Sequence, residues 1–258
     1  MKRVLTALVL IPFILYVVYF GPFRLLFGVT TLFALVCYSE YAAIAAGYGV
    51  GKLGPVGYAA GILVLLARPQ DGYLVFTLLT LIGLALALRQ PDPSKALPYA
   101  AALAFGIVYI FGSWKFAILL RTESAHWLGF GLILNWIGDT CAYFVGRRIG
   151  KHKMAPVVSP NKSWEGAMAS LVGSLIFGVI YLNRAVPAVL PLQAGIISVA
   201  ANVAGQIGDF AESVLKRGAG LKDSSTLLPG HGGLLDRVDS TLFALPVVYL
   251  NLYLTSPH

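Results

Sequence analysis

The stretch LPGHGGLLDRVDSTLFALPVVYL, Leu228 to Leu250, sets Asp236, Arg237 and Asp239 at the head of a run that otherwise reads as membrane helix. Ionised side chains near hydrocarbon are costly, and where they occur they face a protein interior or a wet cavity and take partners. Asp236 and Asp239 are three residues apart, so on a helix they share a face while Arg237 points away. Such a segment belongs to a chain built in a bilayer that keeps something polar at its edge.

The rest of the chain agrees. Of its 258 residues 58% are hydrophobic and 12% charged, with mean hydropathy +0.79, where soluble domains carry about 25% charged residues. Apolar runs close to the roughly 20 residues needed to span hydrocarbon recur at about 4–20, 25–46, 54–67, 72–88, 98–120, 128–146, 166–183, 187–211 and 236–255. They lack the strict alternation of barrel strands, so the fold class is an all-α integral membrane protein, a polytopic bundle of about eight or nine transmembrane helices. The third run is short and the fifth contains Lys115, which leaves each open to being re-entrant or broken. The N-terminus, MKRVLTALVLIPFILYVVYF, imitates a secretory signal, but no A-x-A cleavage site follows and it reads as a retained first helix.

A net charge of +8 reflects topology and no nucleic-acid partner. With nine spans and a cytoplasmic N-terminus, fourteen Lys and Arg fall on the N-terminal side against five (Arg24, Arg68, Lys115, Arg121, Arg184) on the other, a positive-inside bias. Cys37 and Cys141 lie far apart inside apolar segments, and the four histidines show no ligand spacing, which excludes a disulfide framework and a zinc site.

By chemistry the chain divides into a hydrophobic scaffold, 1–125, and a polar, loop-rich region, 126–258, with cytoplasmic loops at about 147–165 and 212–235 that form the candidate site. Seven of the eleven acidic residues lie after position 138, and Glu40 is the one carboxylate of the first half well inside a span. Asn135, Asp139, Tyr143 and Arg147 form one helical stripe; Asn202, Gln206, Asp209, Ser213 and Lys216 form another; Asp236 and Asp239 head a third. One stripe alone reads equally well as interhelical polar packing. Three together, flanked by charged loops, point to a shared wet cavity.

The first loop, GRRIGKHKMAPVVSPNKSWEGA, ends in Ser159-Pro160, the signature of an N-cap and first helical residue. That reading puts Lys162 and Ser163 in a first turn, where free N–H groups favour anions. Trp164 reads as an interfacial anchor. The second loop, ESVLKRGAGLKDSSTLLPGHGGLLDRVDS, supplies Gly218, Gly220, Gly230, Gly232 and Gly233 for close approach and positive φ. Lys216, Arg217 and Lys222 can neutralise phosphates, and Asp223, Asp236 and Asp239 are hard oxygen ligands suited to Mg2+. His231 reads either as a phosphate donor or acid, or as a turn residue. Cations, carboxylates and glycines together are the parts of a phosphoryl-type transfer site. No Walker or dinucleotide fingerprint is present.

Ser213-Val-Leu-Lys216-Arg217, Lys222-Asp223 and Leu228-Pro-Gly-His-Gly-Gly-Leu-Leu-Asp236-Arg-Val-Asp239 resemble the signature of the phosphatidate cytidylyltransferases (CDP-diacylglycerol synthases). Asp139 to Arg147 and Ser159 to Gly166 are similar to two further blocks of that family, with Cys141 and Ser163 standing where Gly and Thr are expected. The resemblance covers about 135–245. It implies transfer from CTP to phosphatidic acid at the cytoplasmic leaflet, a homodimer, and Mg2+ with a second, monovalent or divalent, cation to be considered. The metal would be held by Asp209, Asp223, Asp236 and Asp239. Joined to the residue chemistry, it assigns catalysis to Asp223, Asp236, Asp239, Lys222 and Arg237. Substrate binding falls to Lys162, Ser163, Lys216, Arg217, His231, Gly232, Gly233 and Arg147. The implied place is a cell inner membrane, multi-pass, with the N-terminus cytoplasmic. A CTP-dependent transferase for another lipid phosphate or a polyprenol, and a cation-coupled transporter, are the alternatives.

Overall fold

The computed structural model describes residues 2–228, 230 and 232–255, with side chains from Leu8 onward. His231 and the side chains of Lys2 and Arg3 lie outside the described residues. Among the described residues the chain forms ten α-helices: α1 Lys2–Tyr19, α2 Phe23–Gly47, α3 Gly54–Leu66, α4 Gly72–Ala87, α5 Ala96–Gly106, α6 Ser113–Glu123, α7 Ala125–Ile149, α8 Trp164–Ala185, α9 Pro191–Gly218 and α10 Leu235–Thr255. A two-stranded antiparallel ribbon, β1 Lys153–Ala155 and β2 Ser159–Ser163, lies between α7 and α8. Six helical segments are long and apolar enough to cross a membrane, and Leu8–Tyr19 and α3 are apolar but shorter. This is a multi-pass membrane protein.

The fifth run does not break at its lysine. A π-helical turn, Ile107–Gly112, joins α5 to α6, and Pro93–Glu123 is one candidate span of 31 residues. Lys115 Nζ donates to the carbonyls of Leu65 and Ala67, both at 2.6 Å. Those carbonyls close α3, whose 13 residues rise only about 20 Å against a hydrocarbon core of about 30 Å. A helix that ends so early leaves carbonyls without intrahelical partners, and the lysine supplies them.

By contacts the chain forms two compact units: residues up to Phe23 with Phe116–Val214 and from Val238 onward, and Arg24–Lys115 with Leu215–Arg237. The boundary falls inside α2, α6, α9 and α10.

In the first unit α7, α8 and α9 approach closely through Gly138. A Cβ there would lie 2.6 Å from Ser170 Oγ, 2.7 Å from Asn202 Nδ2 and 2.9 Å from Ser174 Oγ. Asn202 Nδ2 donates to both serine hydroxyls at 2.9 Å, and Gln206 Nε2 donates to Asn202 Oδ1 at 2.7 Å and to the Ala167 carbonyl at 3.2 Å. Such side-chain bonds are what holds helices together where lipid removes most of the hydrophobic drive. In the second unit the fully buried Tyr38 of α2 packs edge-on against Tyr58 of α3 at 4.9 Å and tilts against Phe111 of the π turn at 5.4 Å.

Candidate active site

In the first unit Asp239 of α10 is buried, 8% exposed, with Oδ1 accepting from the Ser240 amide at 2.7 Å. Asp209 and Glu212 of α9 and Asp139 of α7 lie close enough for their charges to bear on it. Lys162, from β2, brings a positive charge: its Nζ stands 2.5 Å from Asp209 Oδ2 and 3.9 Å above the Phe210 ring. The structure therefore gathers one carboxylate from each predicted stripe, together with the predicted lysine. Three other stripe residues take a packing role. Asn135, Asn202 and Gln206 hydrogen-bond within and between helices.

A buried carboxylate among like charges calls for a cation. Among the described residues no three His, Cys, Asp or Glu side chains stand close enough to hold a metal by themselves. The donor chemistry nevertheless fits Mg2+, which takes one or two carboxylates and completes its shell with water and substrate phosphates.

In the second unit Asp236 has a different set of partners. Its Oδ1 is paired with Lys216 Nζ, and its Oδ2 accepts from the Ser224 amide at 3.0 Å, the Ser224 hydroxyl at 3.0 Å and the Gly233 amide at 2.8 Å. Both oxygens are engaged, so Asp236 organises the glycine-rich loop. The loop turns on Gly220, Gly230 and Gly232, whose φ values of 73°, 79° and 80° suit glycine. Gly233 is needed for space: a Cβ there would lie 2.1 Å from Ser224 Oγ and 2.5 Å from Glu40 Oε1.

The other predicted residues are placed as follows. Lys222, Asp223, Arg217 and Arg237 are exposed, with Arg217 Nη1 donating to the Leu221 carbonyl at 3.1 Å. Arg147 is exposed and donates to Tyr143 Oη on its own helix at 2.7 Å. His231 lies outside the described residues.

The expected N-cap at Ser159 with Pro160 opening the helix is wrong. Ser159–Ser163 is a strand, paired with Lys153–Ala155, and α8 begins at Trp164. Ser163 is the N-cap: it is extended (φ −130°, ψ 154°), 3% exposed, and its Oγ accepts from the Gly166 amide at 3.2 Å. The physical reason is that a serine in an extended conformation, three residues before a free amide, caps as well as the serine before the proline. Proline itself is tolerated in an edge strand. Lys162 consequently leaves the ribbon just before the helix and does not ride in its first turn.

The residue that sequence reasoning passed over is Glu40. It is 4% exposed on α2 and accepts from the Ser225 hydroxyl at 2.6 Å, the Leu234 amide at 2.9 Å, the Leu235 amide at 2.6 Å and the Ser224 hydroxyl at 3.2 Å. The signal was available, a lone carboxylate within an apolar span, but its partners lie 184–195 residues away.

The chain matches the Cytidylyltransferase family over residues 1–255. It is 37% identical to the phosphatidate cytidylyltransferase of Pseudomonas aeruginosa over 268 residues, 95% of this chain and 94% of that protein. It is 40% identical over 158 residues to the phosphatidate cytidylyltransferase of Staphylococcus saprophyticus, and 36% over 166 residues to that of Staphylococcus haemolyticus. The match spans 59% of the length of each staphylococcal relative.

Proposed function

The chain belongs to the cytidylyltransferase family, and on that premise we propose that it transfers the cytidylyl group of CTP to phosphatidic acid, giving CDP-diacylglycerol and pyrophosphate. One observation carries the reading: buried Asp239, under the charges of Asp209, Glu212 and Asp139, with Lys162 on Asp209. It is supported by 37% identity across 95% of the chain to a protein named phosphatidate cytidylyltransferase.

An oxygen of the lipid phosphate attacks the α-phosphorus of CTP; the bond from that phosphorus to the oxygen bridging to the β-phosphate breaks, and pyrophosphate leaves. The lipid phosphate is already ionised near neutral pH, so no dedicated base is required, and positioning with charge neutralisation supplies most of the rate. Asp209 and Asp239 are the proposed Mg2+ ligands in the first unit, with Asp139 beside them. The ion supplies charge neutralisation at the phosphates. Lys162 exchanges Asp209 for a phosphate oxygen. Lys216, Arg217 and Lys222 of the glycine-rich loop are proposed phosphate binders, and exposed Asp223 and Arg237 reach soluble nucleotide. The positive-inside count supports a cell inner membrane location with a cytoplasmic N-terminus. The assembly is proposed to be a homodimer.

The test is incorporation of labelled CTP into a lipid-extractable product by purified protein in detergent, given phosphatidic acid with and without Mg2+. Magnesium-dependent label, lost in Asp239→Asn, is the expected result. Label only with a different lipid phosphate or a polyprenol would reassign the acceptor. Absence of label with all of them would overturn the transferase reading.

A further inference from the structure

We infer that Glu40 is a positioning residue for the glycine-rich loop and the start of α10, an inference that rests on the transferase reading above. A carboxylate inside an apolar membrane helix is stabilised only if partners surround it. Among the described residues the hydrogen-bond partners of Glu40 lie within 224–235: the hydroxyls of Ser224 and Ser225 and the amides of Leu234 and Leu235.

The two amides stand at the opening of α10, which begins at Leu235. The first amides of a helix lack intrahelical acceptors and are usually met by a side chain two or three residues earlier. Here a carboxylate on α2 meets them, and the helix dipole favours its negative charge.

The contacts continue from there to the loop's charged pair. The Ser224 hydroxyl lies 3.2 Å from Glu40 Oε2 and 3.0 Å from Asp236 Oδ2. It has a single proton, so the two carboxylates share it. Asp236 is held further by the amides of Ser224 and Gly233 and carries Lys216 on its other oxygen. Tyr48, the residue just past the end of α2, meets the other end of the loop: its Oη donates to the Leu215 carbonyl at 2.9 Å, over Gly218. Helix α2 and the residue that follows it therefore hold both ends of the loop. Glu40 touches no expected reacting atom and acts through Ser224 and Asp236.

The test uses the full chain in detergent with Glu40→Gln and Ser225→Ala. A glutamine keeps the size and one accepting oxygen, but its NH2 cannot accept, so one side of the four-donor set is lost. Amide exchange of peptides covering 224–237 is followed by mass spectrometry, and initial rates are measured across CTP concentrations. In Glu40→Gln the exchange at Leu234 and Leu235 rises at least about tenfold, confined to that segment. The kcat falls at least about tenfold while KM for CTP moves less than about threefold. Ser225→Ala loses one donor and gives the same pattern at about two- to fivefold.

Wild-type exchange in that segment, wild-type kcat, or exchange rising evenly over all helices would overturn the proposal. If Glu40→Gln does not fold, Ser225→Ala decides by the same criteria. Wild-type protein without any transfer activity would instead fail the transferase reading, and the exchange measurement would still decide whether Glu40 orders the loop.

Discussion

Lys162 and Asp209 pair at 2.5 Å, the ammonium lying at the same time 3.9 Å above the Phe210 ring. Under the proposed function, the cation proposed for phosphate and the anion proposed for Mg2+ are charge-balanced by each other, and binding CTP with Mg2+ would amount to exchanging partners. Lys162→Ala is expected to lower kcat/KM for CTP about 10²-fold, the scale of losing one preorganised charge-stabilising group. Because the pair is partly exposed, the stability cost is within about 1 kcal/mol. Steady-state rates and thermal unfolding check the two halves separately.

Asp239→Asn should abolish turnover and leave the fold intact. The amide oxygen can still accept from the Ser240 amide, and removing one negative charge relieves repulsion from Asp209, Glu212 and Asp139. In chelator the variant is expected to melt at or above the wild-type temperature, the reverse of most buried substitutions.

Adding Mg2+ is expected to raise the melting temperature of the wild type and not of Asp239→Asn. A ligand at one hundred times its Kd stabilises by about 2.7 kcal/mol. Titration of the melting temperature with Mg2+, without CTP, measures this independently of catalysis.

Gly138→Ala is expected to destabilise by about 1–3 kcal/mol through overpacking. Each of the three atoms its Cβ would meet is polar and already hydrogen-bonded between helices. Thermal unfolding should show the loss, whereas kcat per folded molecule changes little.

Lys115→Met should cost about 1–3 kcal/mol, because the carbonyls of Leu65 and Ala67 lose a charged donor. Lys115→Arg, which can still donate, recovers most of it. Both variants keep wild-type kcat in the folded fraction.

Much of this architecture was legible. Hydropathy alone located the helical runs, because lipid exposure demands unbroken apolar stretches that leave little ambiguity. Helical spacing brought Asp139, Asp209 and Asp239 together correctly. Spacing did not show the partners of Asp236, the Lys216 ammonium and the amides of Ser224 and Gly233, because they come from a loop with no period. The Ser163 cap was missed because Ser159-Pro160 carries the same local signal, and the pairing of Ser159–Ser163 with Lys153–Ala155 decided between them. Glu40 was noticed but not understood, because no periodicity or spacing rule connects a side chain to amides 195 positions later.

That separation has a consequence during synthesis. At about 5–20 residues per second, the 195 residues between Glu40 and Leu235 take roughly 10–40 s to translate. Throughout that time α2 is already made, while the amides that will receive its carboxylate do not yet exist. The nascent chain must shelter an acidic group at the lipid boundary, through water, an insertase or a transient helix pairing. The order in which the helices enter the bilayer is therefore constrained by the last of them.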